Sequence, residues 1–177
     1  MLLHSSLLNW CIISENTPSY KLRLIMTNND LLRRIRYTFD LSDSKMIEIY
    51  ALGEVEVNRE QVSQWLKKDD DADFVECEDV ELAAFLNGFI ALKRGKKEGE
   101  PVKNETVLNN NAKLRKIKIA LNLQGEDMAE IFQIADFPLS NHEISAFFRK
   151  PEHKNYRLCK DQVFRYFLQG LQTKHRS

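Results

Sequence analysis

The sequence predicts an all-α fold, a tandem duplication of a four-helix unit with about eight main helices packed as one compact body. Three observations carry this. The chain repeats itself: at an offset of 82 positions, Asn28–Gly88 runs without a gap against Asn110–Gly170. Asn28-Asn29 falls on Asn110-Asn111, Leu32-Arg33 on Leu114-Arg115, Cys77 on Cys159 and Phe85-Leu86 on Phe167-Leu168. A repeat of this length is one structural unit used twice. Apolar residues recur at helical spacing, and no segment sustains the period-two alternation of a half-buried strand. With only 6 Gly and 4 Pro in 177 residues, the chain is poor in the residues that tight hairpins need.

The first helix is expected behind a cap at Asn28 or Asn29, with Leu32, Ile35, Tyr37 and Phe39 leading to Leu41. Its mate carries Leu114, Ile117, Ile119 and Leu121. A second helix starts near Ser42 and shows Met46, Ile47, Ile49, Tyr50 and Leu52, against Met128, Ala129, Ile131, Phe132 and Ile134. After a short turn (53–57, or 135–139) a capping box opens the third, Asn58 with Gln61 and Ser140 with Glu143. That helix presents Val62, Trp65 and Leu66, matched by Ile144, Phe147 and Phe148. Asp79 and Asp161 start the fourth, whose apolar positions include Leu82, Phe85, Leu86 and Phe89, or Phe164, Phe167, Leu168 and Leu171. The domain plan is repeat 1 over 26–92, a charged connector over 93–109 and repeat 2 over 110–173. Lys93–Pro101, rich in charge and broken by Gly and Pro, reads as solvated. Residues 1–25 lie outside the repeat and read as an extension, because Met26-Thr27-Asn28-Asn29 looks like a natural start ahead of a helix cap.

Each repeat alone is near the size at which burial is marginal, so the halves are expected to share a core. The net charge of zero hides an asymmetry: residues 28–90 hold 7 Lys/Arg against 15 Asp/Glu, and residues 110–177 hold 12 against 7. Opposite halves of this kind attract each other head to tail or meet different partners. Three cysteines are too few for a disulfide framework, which points to a reduced cytoplasm. No apolar run approaches the length of a membrane span.

The second and third helices loosely suggest a helix-turn-helix, but the turn 135–139 is long and the presumptive reading helix is poor in Arg and Lys. A stronger electrostatic case is the first helix of each copy. Arg33, Arg34 and Arg36 correspond to Arg115, Lys116 and Lys118, and Lys150, Lys154, Tyr156 and Arg157 add a basic loop with an aromatic for stacking; to these ten the same run adds Arg149, His153 and Lys160. The plainer reading pairs Arg33 with Glu48 and Arg115 with Glu130 inside each repeat. Where the second copy is basic, the first carries Asp69-Asp70-Asp71-Ala72-Asp73, which lacks the glycine and closing glutamate of a calcium loop. Cys77 and Cys159 stand just before the fourth helix, where a thiol pKa is lowered if solvent reaches it; packing is the plainer role. No catalytic set, glycine-rich phosphate loop, metal-ligand spacing or cofactor motif is present.

Several strings resemble the YehS family of small bacterial proteins, which carries a duplicated domain of unknown function (1456). They are Met26-Thr27-Asn28-Asn29-Asp30-Leu31-Leu32-Arg33-Arg34-Ile35-Arg36, Glu81-Leu82-Ala83-Ala84-Phe85-Leu86-Asn87-Gly88 and Arg149-Lys150-Pro151-Glu152-His153-Lys154-Asn155-Tyr156-Arg157. The resemblance spans Met26 to about Thr173. It implies a tandem helical protein of the bacterial cytoplasm and brings no established activity. The functional expectation is therefore a non-enzymatic interaction module with a protein partner or a second copy of itself. Its alternatives are a nucleic-acid-binding protein using the ten residues above and, with least support, an enzyme with a site between the repeats.

Overall fold

A computed structural model describes residues 25–96, 99 and 103–176. The expected extension, with Cys11, falls almost wholly outside the described residues. Among the described residues there are eight helices and no strand. In repeat 1 they are α1 (Asn28–Thr38), α2 (Asp43–Leu52), α3 (Arg59–Leu66) and α4 (Asp79–Arg94). In repeat 2 they are α5 (Asn110–Ala120), α6 (Gly125–Ile134), α7 (Asn141–Ala146) and α8 (Asp161–Arg176).

Each boundary has a local cause. Thr27, not Asn28 or Asn29, caps α1: its hydroxyl accepts from the Asp30 N–H and its own N–H donates to the Asp30 carboxylate. Asn109 caps α5 in the same place. Ser42 caps α2, while Asn58 with Gln61 and Ser140 with Glu143 form the expected boxes. The first helix of each copy stops short of the apolar pattern that runs on to Leu41. Asp40 (φ 50°) and Asn122 (φ 54°) turn the backbone left-handed, and the N–H groups of Leu41 and Leu123 return to the carbonyls of Arg36 and Lys118, both at 3.0 Å. That is a Schellman closure, written once in each copy. Glu54 (φ 62°) and Asp136 (φ 55°) close α2 and α6 in the same way. Tyr37 and Ile119, expected to face the core, are 55% and 46% exposed; Leu31, not anticipated, is fully buried.

Within each repeat the second and fourth helices lie along each other, α2 on α4 and α6 on α8. Between repeats the first helices cross over: α5 packs mainly on α4, and α1 mainly on α8. This reciprocity is the pattern of a two-fold pair whose protomers are joined in one chain. The core is correspondingly continuous, running from Leu32, Ile49 and Phe85 of repeat 1 into Leu114, Ile131 and Phe167 of repeat 2.

A polar seam marks the meeting point. Asn28 Nδ2 donates to the Cys77 carbonyl and to Asp79, both at 2.9 Å, and Asn110 Nδ2 donates to Asp161 at 2.7 Å. Lys113, standing where repeat 1 has Leu31, is buried and donates to Asn28 Oδ1 at 2.7 Å. Burial lowers its pKa, and the carboxylates of Asp79 and Asp161 oppose that shift. Every described residue of the 93–101 stretch is exposed, its first two ending α4. The later part of the connector packs down: Leu108 is buried with its N–H on Asp79, and Glu105 pairs with Lys116 at 2.8 Å.

Candidate anion-binding groove

In each repeat the first and third helices leave a groove at the start of the second. In repeat 1 it encloses about 550 Å3 and is lined by Arg33, Arg36, Tyr37, Asp40, Leu41, Ser42 and Leu66. In repeat 2 it encloses about 490 Å3, and Arg115, Lys118, Ile119 and Phe148 stand at the positions of Arg33, Arg36, Tyr37 and Leu66.

The two grooves differ in charge. Arg33 donates to the carbonyl of Lys67 and pairs with Asp30 (2.8 Å) and Asp69 (3.2 Å). Arg36 pairs with Asp43 at 2.7 Å, and Arg59 approaches the same carboxylate at 3.8 Å. Lys67 holds Asp71 and Asp73 at 3.0 and 2.5 Å. The pKa of Asp30 shows this engagement: burial pushes its carboxyl up, but hydrogen bonds from Arg33 and Thr27 outweigh that and hold it below the ordinary value.

Repeat 2 keeps the three cations as Arg115, Lys118 and Arg149, and at the five carboxylate positions it carries Ala112, Gly125, Pro151, His153 and Asn155. Among the described residues, none of the three cations has a carboxylate within ion-pair distance. Arg115 Nη2 donates to the Phe148 carbonyl at 2.7 Å, Lys118 lies over the Phe148 ring at 5.8 Å, and Arg149 reaches only Ser145 Oγ, at 3.5 Å. Arg149 Nη1 is buried with no hydrogen-bond partner. Repeat 2 gains Glu126, Asp127 and Glu143 nearby, but none lines the groove, and Asp127 and Glu143 fold back onto the cap N–H groups of Gln124 and Ser140.

The profile of a family described as "Protein of unknown function (DUF1456)" matches the chain twice, over residues 28–95 and 110–177. The chain belongs to this family. It is also 43% identical to the uncharacterised protein YehS of Escherichia coli K12 over 150 residues, which covers 84% of this chain and 96% of YehS. No solved structure gives a significant match. The duplication and the bacterial affinity read from the sequence both stand.

The structure divides the candidate residues into four groups. Arg33, Arg36 and Lys116 are engaged internally, Lys116 by Glu105 and by Asn87 Oδ1 at 2.5 Å. Arg115 and Lys118 line the repeat 2 groove. Lys150, Lys154 and Arg157 are exposed on the loop between α7 and α8 with Tyr156 half-buried among them, while Arg34 is half-buried on α1. The expected pairing of Arg33 with Glu48 and Arg115 with Glu130 does not form. Glu48 takes Lys45 at 2.7 Å, and Glu130 takes Lys174 at 2.6 Å.

Packing, the plainer role for the thiols, is what the burial supports: Cys77 and Cys159 are 1% exposed, and burial, aided by nearby acidic groups, pushes both pKa values up to about 12. They pack; they are not poised thiolates. The helix-turn-helix reading meets a third helix of six residues, about 9 Å long, which is a short probe for a DNA groove. Among the described residues no three His, Cys, Asp or Glu converge as a metal site, and no helix is long and apolar enough to cross a membrane. Arg149, named on charge alone, lines the groove, and sequence reading missed Gly125 and Asn141 beside it. The signal was present in the comparison of the copies, where charge is lost at Asp43/Gly125 while Arg36/Lys118 keeps it.

Proposed function

We propose that the protein is a non-enzymatic interaction module of the bacterial cytoplasm whose second repeat is the binding half and takes an anionic partner. The observation that carries this is the retention of three cations in repeat 2 without the five carboxylates that occupy their counterparts. A cation kept without its counterion is available to a foreign anion, and the exposed Lys150, Lys154 and Arg157 extend the same charge along the adjoining loop. Head-to-tail association through the acidic loop is less favoured, because Asp69, Asp71 and Asp73 are already paired within repeat 1.

Titrating the intact protein against labelled single-stranded DNA, RNA and poly-glutamate over a salt series tests the reading. At least one polyanion is expected to bind at low salt, with the logarithm of its affinity falling linearly in log salt. Absence of binding to all three at low salt contradicts it.

A further inference from the structure

Repeat 1 shows what its groove is built around. Asp43 is the first residue of α2, and its carboxylate lies at that helix N-terminus on Arg36 at 2.7 Å, with Arg59 at 3.8 Å. The corresponding first residue of α6 is Gly125, with Lys118 in the place of Arg36 and Asn141 in the place of Arg59. A side chain at Gly125 would meet nothing closer than Asn141 Oδ1 at 3.6 Å, so the place of the carboxylate is open. Arg115, Lys118 and Arg149 line the same groove as Gly125, and among the described residues Arg149 Nη1 is buried and has no hydrogen-bond partner.

We propose that this groove is a phosphate-binding site, in which a phosphodiester of a nucleic-acid strand takes the place that the Asp43 carboxylate fills in repeat 1. The proposal rests on the reading of repeat 2 as the binding half and names its ligand. Three features favour a phosphodiester strand over a single carboxylate. Three cations that are matched by five carboxylates in repeat 1 call for a ligand carrying several charges. Arginine forks and a helix N-terminus with no side chain at its first residue both suit a tetrahedral oxyanion. The charge also continues beyond the groove into Lys150, Lys154 and Arg157 beside the half-buried Tyr156, as a strand of successive phosphates and bases requires.

The test is to restore the missing carboxylate. Gly125→Asp recreates the arrangement of Asp43, and Gly125→Ala adds the same Cβ without charge. Both are compatible with the fold, because the space is open and repeat 1 already carries Asp there. Binding of a fluorescein-labelled single-stranded oligonucleotide to the full chain is followed by anisotropy across a salt series. Gly125→Ala is expected to bind like the wild type. Gly125→Asp is expected to bind roughly tenfold more weakly, with the slope of log affinity against log salt reduced by about one.

If Gly125→Asp binds the oligonucleotide as the wild type does, the groove is not the phosphate site, and the binding-module reading stands without it. If the wild type binds poly-glutamate but not the oligonucleotide, the ligand class is overturned and the module reading survives. If it binds none of single-stranded DNA, RNA and poly-glutamate, both fall.

Discussion

Gly88→Ala and Gly170→Ala are each expected to lower stability by about 4 kcal/mol or more, among the largest effects of any single methyl addition to this chain. An ideal Cβ at Gly88 would sit 1.7 Å from the Ile49 carbonyl oxygen, and one at Gly170 would sit 1.9 Å from that of Ile131. The obstacle in both cases is backbone, so no rotamer change relieves it. α4 must move off α2, or α8 off α6, and either movement opens voids beside Phe85 and Phe89 or Phe167 and Leu171, all buried. A typical domain has only about 5–15 kcal/mol to lose. Urea unfolding of each variant measures the effect, and Gly125→Ala, in open space, is the control with an expected change near zero. Midpoints for Gly88→Ala and Gly170→Ala within error of the wild type would mean that the helices do not approach this closely.

Asn111→Ala is expected to cost about 3 kcal/mol, as is Asn29→Ala, from two buried backbone groups and one partly buried carbonyl left without partners. Asn111 Nδ2 donates to the carbonyls of Phe147 and Arg157 at 2.9 and 2.8 Å, and its Oδ1 accepts from the Cys159 N–H at 2.9 Å. Asn29 makes the same three bonds to Trp65, Val75 and Cys77, at 2.9, 2.8 and 3.0 Å. One amide thus ties the end of the third helix to the last residues of the loop that precedes the fourth. Asn111→Asp separates the contributions: it keeps the acceptor for Cys159, loses both donors and sets a charge against two carbonyl oxygens. It is therefore expected to be at least as damaging as Ala, and an Asp variant as stable as the wild type would show that these bonds do not form.

The architecture was legible because duplication and helical period report on the same thing, burial. Leu32, Ile35, Met46, Ile49 and Phe85, chosen on spacing, all lie in the core. Tyr37 is exposed although it lies inside the first helix, because two residues past Ile35 is about 200° of helical turn, on the face opposite the Leu32 and Ile35 stripe. The Asn pair was read locally, as a cap, whereas its partners lie 36 to 51 residues along the chain. The clue was that Asn, Cys and Asp recur together at fixed spacing in both copies, which a cap alone does not require. Of the candidate site, the basic side chains were visible, but their availability was not. That Asp69 reaches Arg33 depends on the loop after the third helix folding back beside the first, whereas the loss of the Arg36 partner at Lys118 is written locally, in the exchange of Asp43 for Gly125. The exchange of first helices between repeats left no trace in local pattern, since α1 presents the same apolar stripe to α8 as it would to α4.

That exchange joins the halves into one cooperative body, and native-state hydrogen exchange on Gly170→Ala tests it most directly. The substitution lies in repeat 2, and the amides of α2 and α4 lie wholly in repeat 1. With α1 seated on α8 and α5 on α4, those distant amides are expected to lose as much protection as the amides of α6 and α8. If α2 and α4 keep wild-type protection while α6 and α8 exchange freely, the repeats unfold independently and the account of a single shared core is wrong.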